Sequence, residues 1–395
     1  MFIYHSEDCH PMSQDTGLKN RGRSKSDVDD RRKAAEKFTG AKLSEISKYS
    51  FDPASAEKNI ENMIGATQIP LGFAGPITIK GSNADGNVIV PLATTEGALV
   101  ASVSRGMSVI SLSGGASVIT IKDAMTRAPV FRVSGIEHAA KVIDWISKNN
   151  KKMADAVKKT TSHGKLTGVE TFPNGRNLFV RFSYDTGDAM GMNMVTIATE
   201  TVCKLIEKET GAVLVSVSGN MCTDKKPAWI NAIGGRGKTV LAEATIPKDI
   251  VEKKLHSSVD AIVETNIRKN LIGSSMAGSV GHNAHAANMA AALYIATGQD
   301  PAQVVEASLT MTTCESVDGN LYISVRMPSV EVGTVGGGTK LPCQSEALKM
   351  IGCLGSGKAK RLAEIVAATV LAGELSTLAA QASGQLGKAH KDLGR

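Results

Sequence analysis

Aromatic side chains are scarce in this sequence. Phe, Trp and Tyr make up 4% of its 395 residues, whereas glycine alone occurs 39 times. Small residues of this kind favour tight helix packing and let one backbone approach another closely. The composition is that of a globular protein, and the length suffices for two or three domains with substantial cores.

The cysteines and histidines form no recognisable ligand or disulfide pattern. None of the six cysteines belongs to a C-x-x-C pair, which predicts free thiols in a reducing compartment. One close histidine pair, His282 and His285, has no Cys or Glu set at ligand spacing, so no metal is expected. The cysteines are Cys9, Cys203, Cys222, Cys314, Cys343 and Cys353.

Long hydrophobic runs are also missing from the pattern. No run reaches the roughly 18 apolar residues of a membrane-spanning helix, and the first ten residues, MFIYHSEDCH, lack the apolar core of a signal peptide. The net charge of +7 is modest, and no basic patch is interleaved with aromatic residues, which argues against nucleic acid. We therefore expect a soluble cytoplasmic protein without a membrane or nucleic-acid partner.

The chain divides into segments of different character. Residues 1–30 are polar and aperiodic, which predicts a flexible arm, and residues 31–48 are typical of a helical segment. Residues 49–128 and 218–395 are predicted to form a large helical domain. Residues 129–217 have their own apolar pattern and are predicted to be a small domain inserted into the large one. The expected fold class is α+β.

The small domain has the most regular pattern of the chain. Leu178, Val180 and Phe182 alternate with polar residues as on one face of a strand, while residues 136–158 and 191–210 follow a helical period. The element order is βαββαβ, the ferredoxin-like unit. The predicted elements cover 130–133, 136–158, 166–172, 178–184, 191–210 and 212–217.

Two stretches resemble phosphate-binding loops but lack required residues. GCLGSGKA (352–359) has Ala359 where the loop needs a hydroxyl for Mg²⁺, and AIGGRGKT (232–239) lacks the first glycine. No G-x-G-x-x-G joins a strand to a helix, so a standard Rossmann site is not expected. The glycines of VGTVGGGT (332–339) allow two interpretations, a flexible loop or backbone N–H groups presented to an anion.

Several charged residues lie where strands meet helices, and each alone has a simple structural explanation. The triplet DKK (224–226) follows an apolar run and could be a solvated loop. Glu96, Asp188 and Asp300 precede predicted helices and could act only as helix caps. His390 lies near the chain end, where a histidine is usually solvated.

Taken together, these stretches resemble the catalytic portion of class I hydroxymethylglutaryl-coenzyme A reductases. The matching motifs occur in the family's order over roughly residues 50–390, as in the soluble archaeal-type members without a membrane anchor. The resemblance implies a ferredoxin-like dinucleotide domain within a larger helical domain. The motifs are ENMIGATQIPLGFAGP, PLATTEGALVAS, DAMTRAPV, GDAMGMNM, SGNMCTDKKP, RKNLIGSSMAGS, NAHAANM, TGQDPAQ, GTVGGGT and GKAH.

The resemblance implies a reaction and catalytic roles. Hydroxymethylglutaryl-coenzyme A (HMG-CoA) is reduced by two NADPH to mevalonate and free coenzyme A. Lys225 matches the cation that stabilises negative charge on the carbonyl oxygen, and Glu96 matches the general acid. Asp300 matches the aspartate that links these two, and His390 the donor that protonates the coenzyme A thiolate.

The resemblance also implies binding residues. Those matching the hydroxymethylglutaryl site are Arg127, Ser218, Asp224, Lys226 and Lys269. Those matching the coenzyme A and subunit-contact neighbourhood are Glu61, Ser102, Arg105, His285 and Asn288. Those matching the dinucleotide site are Asp188, Met190, Met192, Asn193, Thr161, Ser162, Gly336, Gly337 and Thr339.

One position departs from the family pattern. Ser162 stands where many class I members carry an arginine for the 2′-phosphate of NADPH, so NADH is a possible alternative. The family implies a dimer or tetramer with active sites between subunits. A coenzyme A thioester-binding protein or an acyl transferase without redox activity is the alternative function, and the set Glu96, Lys225, Asp300 and His390 argues against it.

Overall fold

The structure of the protein is a computed structural model that describes residues 22–384. Residues 22–69 with 340–342 form one compact unit, and residues 70–339 with 343–384 form another. The first unit contains helix α1 (Lys25–Thr39) and a 3-10 turn at Pro53–Ala56. Its small core consists of Val28, Ala56 and Met63 with Tyr49, Phe51 and Leu341 packed against them.

Helix α1 differs in position from the predicted segment 31–48. It begins at Lys25, inside the stretch predicted to be a flexible arm, because Ser24 and Asp27 form a reciprocal capping box. It ends at Thr39, where Gly40 adopts a left-handed φ of 72°. Only Val28 and Arg31 are buried on this helix, so its apolar period is too weak to mark the boundaries in the sequence.

The second unit is built on ten strands. The strand order is β7-β4-β6-β3-β8-β10-β9, with β1 paired to β2 and β3, and β5 paired to β6. The strands are β1 (Leu71–Gly81), β2 (Asp85–Ala93), β3 (Ala116–Arg127), β4 (Val130–Arg132), β5 (Lys165–Asn174), β6 (Asn177–Asp185), β7 (Val213–Ser216), β8 (Gly237–Ile246), β9 (Met311–Val317) and β10 (Asn320–Val330).

The helices complete the second unit. They are α2 (Leu99–Leu112), α3 (Ile136–Lys148), α4 (Asn150–Lys158), α5 (Met192–Thr210), α6 (Trp229–Gly234), α7 (Lys248–Ile250), α8 (Val259–Thr265), α9 (Ser274–Met276), α10 (Ala286–Thr297), α11 (Val304–Ala307), α12 (Pro342–Met350) and α13 (Ala359–Ala382). Helices α2, α10 and α13 pack on β1, β2, β8 and β10 around the larger core.

Small residues bring these helices into close contact. At Gly106 on α2, an added Cβ would lie 1.9 Å from the carbonyl oxygen of Ala372 on α13. No side chain can occupy that space without moving one helix. The glycine-rich composition thus permits the close packing of α2 on α13.

Strand β3 takes part in two groups of strands. Its first part pairs with β1 and β8, and Met125–Arg127 pairs with β6. Beyond that point β4 to β7 with α3 to α5 enclose a second core, from Met125 to Ala212. The order β7-β4-β6-β5 is antiparallel throughout, and the prediction of a ferredoxin-like βαββαβ unit in an α+β fold is confirmed.

The rest of the second unit is less helical than predicted. Strands β8, β9 and β10 lie in 237–330, which was predicted to be part of a helical domain. All three are buried on one side in the larger core, and β8 begins at Gly237, inside the motif GRGKT. Non-local pairing of β8 with β3 and β10, rather than the local pattern, fixes β8 as a strand.

Helix α13 is the most buried helix of the protein. By length and composition it could cross a membrane, and the prediction that no such segment exists overlooked it. However, 94% of its most apolar stretch is buried inside the protein. Burial on all sides explains its apolar composition, because a helix in the middle of a core needs no polar face.

Candidate active site

The loop between β7 and α6 has an unusual backbone. Three of its residues other than glycine adopt left-handed φ angles: Asn220 at 64°, Thr223 at 49° and Lys225 at 61°. Each such residue costs about 1–3 kcal/mol and persists only where the surroundings hold it. Strain of this kind concentrates at functional sites, which makes this loop the first candidate.

The adjacent lysines of the loop have different partners. The Lys225 ammonium lies 2.8 Å from Oδ2 of Asp300, whereas Lys226 donates to the carbonyl oxygen of Asp224 at 2.9 Å. The hydrogen bond to Asp300 raises the pKa of Lys225 above its ordinary value. Lys225 therefore remains a cation at neutral pH, next to a fixed carboxylate.

Asp300 acts both as a cap and as an ion-pair partner. Its Oδ1 accepts from the backbone N–H of Ala302 at 3.1 Å and caps the 3-10 turn Pro301–Gln303 that leads into α11. Its Oδ2 faces Lys225. The capping interpretation is correct but incomplete, because one carboxylate oxygen remains for the lysine.

Asp224 is bound mainly by other residues of the chain. Its Oδ1 lies 3.0 Å from the Arg236 guanidinium and accepts from Gln303 at 3.1 Å, and Arg127 lies 3.7 Å from its Oδ2. A carboxylate with these partners anchors the loop. Arg127, at the end of β3, has an Nε without a partner among residues 22–384.

Sequence reasoning missed Arg236, which lies below the loop. Its side chain has no exposed surface and contacts Glu306 at 3.3 Å, Glu331 at 3.2 Å and Gln303 at 3.0 Å. We call Arg236 with Asp224, Gln303, Glu306 and Glu331 the Arg236 cluster. The sequence did contain a signal for this cluster: Glu306 and Glu331 are single charged residues inside the apolar segments AQVVEAS and PSVEVG. A charge buried in such a segment needs a partner of opposite charge.

The Arg236 cluster holds more carboxylates than cations. Burial raises the pKa of Glu306 to about 7 and that of Glu331 well above its ordinary value, although Arg236 lowers both. Burial opposes the charge of Arg236, yet Glu331, Asp224 and Glu306 together raise the pKa of its guanidinium. Burial thus favours the neutral form of Glu306 and Glu331, while the Arg236 guanidinium favours their charged form.

Glu96 lies apart from this network. It sits in the loop between β2 and α2, exposed to solvent, and its backbone N–H donates to Thr94 Oγ1 at 3.0 Å. Within residues 22–384 its carboxylate has no hydrogen bond or ion pair. The predicted link of Glu96 through Asp300 to Lys225 is not formed in this structure and stays a prediction.

Four predicted residues meet instead at α13. Arg105 donates to Oγ and to the carbonyl oxygen of Ser376, at 3.0 and 2.6 Å, and Ser102 hydrogen bonds the same hydroxyl at 2.9 Å. His285 Nε2 lies 2.6 Å from Thr377 Oγ1, and its Nδ1 lies 3.4 Å from Asn288. Burial lowers the pKa of Arg105.

The remaining predicted substrate residues are dispersed. Lys269 donates to Asn270 Oδ1 at 2.9 Å, and burial lowers its pKa. Ser218 Oγ lies 3.6 Å from Cys222 Sγ. Glu61 belongs to the first unit, where it lines a cavity of about 200 Å³. His390 lies outside the described residues.

Asp188 does not face its own helix. Its carboxylate accepts from the backbone N–H groups of Gly357, Lys358 and Ala359, at 2.7, 3.0 and 3.0 Å, at the start of α13. Helix α5 instead begins after Gly191, without a side-chain cap. The loop 352–359, which resembles a phosphate-binding loop in sequence, thus binds a carboxylate of the same chain.

The hydrogen bonds of Asp188 to the start of α13 should contribute measurably to the free energy of unfolding. Burial raises the pKa of Asp188, but the three N–H groups outweigh it, and the net pKa is lowered from 3.8. We expect Asp188→Asn to lower the free energy of unfolding by about 1–2 kcal/mol in urea titrations near pH 7. Because the folded pKa is depressed, the difference from wild type should shrink as pH falls below about 4.

Asp185→Asn is the matched control, because among residues 22–384 the Asp185 carboxylate caps only its own turn, by accepting from Gly187 N–H at 2.9 Å. A loss in this control as large as that in Asp188→Asn would mean that the long-range contact with α13 adds nothing.

The glycine-rich loop has room beside its backbone. Gly336 and Gly337 have φ angles of 75° and 52°, and an added Cβ at either would meet nothing within 4 Å. Gly338 packs tightly on Gly298, where an added Cβ would lie 2.5 Å from the carbonyl oxygen. Thr334 N–H donates to the carbonyl oxygen of Asp188 at 2.8 Å, which joins this loop to the GDAMGMN segment.

The other predicted dinucleotide residues lie near the same segment. Met192 Sδ contacts Arg236, and Met190 packs on the second core, which runs from Met125 to Ala212. Thr161 Oγ1 donates to Met194 Sδ, while Ser162 and Asn193 are exposed. In the part of the chain that the structure describes, no group of three or more His, Cys, Asp or Glu could hold a metal ion.

Comparison with known proteins agrees in sequence and in fold. The family profile described as hydroxymethylglutaryl-coenzyme A reductase matches residues 27–395. The 3-hydroxy-3-methylglutaryl-coenzyme A reductase of Haloferax volcanii is 52% identical over 370 residues, 92% of each chain. That of Pyrococcus horikoshii is 53% identical over 374 residues, 92% of this chain and 91% of the relative.

A similar solved structure is the class II 3-hydroxy-3-methylglutaryl-CoA reductase of Streptococcus pneumoniae bound to NADPH. It superposes with a TM-score of 0.69 and 19% identity, over 88% of this chain and 82% of that one. At this identity the likeness shows a shared fold.

Proposed function

The chain belongs to the hydroxymethylglutaryl-coenzyme A reductase family, and from this premise we propose that it reduces HMG-CoA to mevalonate and coenzyme A with two NADPH. The observation that carries the proposal is the ion pair of Lys225 with Asp300 at 2.8 Å on a strained loop. A reduction that places negative charge on a carbonyl oxygen needs a fixed cation beside it. Lys225 is that cation, and Asp300 orients it.

Protons come from two other residues. Glu96 is the proposed general acid, and its side chain is exposed, so its carboxyl can meet the substrate. His390 is the proposed donor to the departing coenzyme A thiolate. Both assignments follow from the motifs TTEG and GKAH.

The substrate acid group is proposed to bind beside the loop. Arg127 offers a guanidinium whose Nε has no partner in residues 22–384, and Lys226 is exposed with a flexible side chain. Lys269 and Ser218 complete this set. Asp224 is proposed to belong to the same set, and it also holds Arg127 and the loop.

Coenzyme A is assigned to the residues that meet on α13. Ser102, Arg105, His285 and Asn288 lie on two helices around Ser376 and Thr377, so one ligand could contact all four. Glu61 stays assigned to this neighbourhood by motif alone.

The dinucleotide fits the open glycine loop. There is space beside the backbone of Gly336 and Gly337, so these residues and Thr339 would approach the dinucleotide closely. The GDAMGMN segment lies next to this loop. When bound, NADPH supplies hydride. Asp188 contributes by fixing the segment to α13, while Met190, Met192, Asn193 and Thr161 line its surroundings.

The class of the enzyme is proposed from identity. Half of the aligned residues match the archaeal relatives, against 19% for the class II structure, which supports a class I, archaeal-type enzyme. A cytoplasmic location and a homo-oligomer with active sites between subunits complete the proposal.

A spectrophotometric assay tests the activity. Oxidation of reduced nicotinamide should depend on HMG-CoA and yield mevalonate and free coenzyme A. Binding of HMG-CoA without turnover, with either NADPH or NADH, would instead favour the thioester-binding alternative. Mevalonate identified by mass spectrometry excludes an acyl transferase.

The exposed Ser162 gives a prediction on dinucleotide choice. We expect Ser162→Arg to raise the NADPH over NADH preference in kcat/KM by about tenfold or more, because a guanidinium binds the 2′-phosphate in a bidentate way. His163→Arg, at the neighbouring exposed position, is the control. An equal gain in both variants would indicate a general charge effect rather than recognition at residue 162.

A further inference from the structure

The Arg236 cluster connects segments that the reaction must hold together. Arg236 precedes β8, Asp224 belongs to the strained loop, and Gln303 and Glu306 follow Asp300 on the same turn and helix. Glu331 follows β10 and leads into the glycine-rich loop. The Arg236 guanidinium thus contacts four separate chain segments, since it also lies 2.8 Å from the Met192 sulfur.

The cluster also holds the backbone of the catalytic lysine. Lys225 N–H donates to Glu306 Oε1, the same oxygen that lies 3.3 Å from Arg236. This hydrogen bond fixes a residue whose φ of 61° an isolated chain rarely adopts. Without it, the lysine backbone would relax and its side chain would leave Asp300.

Burial makes this arrangement stiff. The side chains of Arg236, Glu306 and Glu331 have 1% exposure or less, so water cannot replace a lost partner. The guanidinium is planar and donates along fixed directions. It therefore sets the distance between the loop residue Asp224 and the α11 residue Glu306. Lys225 follows Asp224, and Asp300 caps the turn that leads into α11, so the distance between Lys225 and Asp300 is set as well.

We propose that Arg236 is a positioning residue, which holds Lys225 and Asp300 at ion-pair distance by binding the residues beside each of them. The proposal rests on the proposed function for its kinetic consequence, but its geometric content stands by itself. Arg236 does not touch the reacting atoms; it acts through Asp224 and Glu306.

Arg236→Lys tests the idea in the full-length protein. Lysine keeps the buried charge but cannot donate to Asp224, Gln303 and Glu306 in fixed directions at once. We expect kcat to fall about 10–100-fold, since a displacement of about 1 Å can cost that much. KM for HMG-CoA should change less than kcat, because Asp224 is the only proposed substrate-binding residue that Arg236 contacts among residues 22–384.

Arg326→Lys is the matched control. The Arg326 guanidinium, on β10, donates only to the carbonyl oxygens of Ala232 and Ile233 on α6 among residues 22–384. The variant keeps the charge and leaves the Lys225 loop untouched, so kcat should stay near wild type. A kcat loss in Arg236→Lys no larger than in Arg326→Lys would overturn the proposal.

Crystal structures of both variants separate this proposal from the proposed function. The Lys225 to Asp300 contact, 2.8 Å in the wild type, should open in Arg236→Lys and persist in Arg326→Lys. If the wild type fails to reduce HMG-CoA, the proposed function falls, and these distances still decide whether Arg236 positions the pair. An intact ion pair in Arg236→Lys refutes the positioning role whatever the activity.

Discussion

Lys225→Met should abolish most of the reduction of HMG-CoA, lowering kcat by about 10²–10³-fold or more. The ammonium at 2.8 Å from Asp300 is the only cation that the structure fixes beside this carboxylate within residues 22–384. Methionine has a similar length but no charge to stabilise negative charge on the substrate oxygen. KM should change little, since the lost interaction belongs to the transition state.

Lys226→Met is the control, one residue away. Lys226 is exposed and donates only to the adjacent Asp224 carbonyl among residues 22–384, so its loss should raise KM by about tenfold at most and spare kcat. Steady-state kinetics with saturating NADPH distinguish the two effects. Equal kcat losses in both variants would contradict the assignment of Lys225 as the cation at the reacting oxygen.

Arg236→Met should be the most destabilising single change in the site. Removing the guanidinium leaves Glu306 and Glu331 without their charge partner in a water-free environment. Breaking a buried ion pair on one side costs about 3–5 kcal/mol. Urea unfolding at neutral pH, with a probe for each core, would measure the loss.

The size of this loss depends on pH with a definite sign. Burial already raises the pKa of Glu306 from 4.5 to about 7, so the folded protein retains a proton that the unfolded chain releases. That contribution lowers stability as pH rises from about 4.5 to about 7. Without Arg236 the pKa rises further, so the deficit of Arg236→Met should be larger at pH 8 than at pH 5.

Arg181→Met provides the comparison. Arg181 is also buried, but its hydrogen bonds at 3.0 Å go to neutral groups, Asn231 Oδ1 and the carbonyl oxygen of Gly235. Its carboxylate neighbour Glu170 is exposed and 3.9 Å away. Removal of the Arg181 guanidinium should cost about 1–3 kcal/mol with little dependence on pH in this range. Equal losses in the two variants, without a pH difference, would show that the carboxylates of the Arg236 cluster are not ionised.

Local pattern was enough to predict the ferredoxin-like βαββαβ unit. Its strands are short and alternate, its helices are amphipathic, and PNG marks the hairpin between β5 and β6. Strand β8 escaped prediction because its partners β3 and β10 are distant in sequence. Strands β9 and β10 form a local hairpin that the prediction of a helical domain missed. Segments whose conformation depends on distant partners carry a weak local signal.

Sequence by itself determined the family, the candidate residues and the chemical role proposed for each motif. The motifs DKK, TTEG and GQD are runs of residue types, so they can be recognised without knowing the fold. Tertiary structure alone decided what these residues contact. It brings Lys225 to Asp300 and hydrogen bonds the Asp188 carboxylate to the start of α13, about 170 positions away. It also shows that Arg236 is buried among carboxylates. A buried charge is stable only with partners, and the chain brings those partners together only when folded.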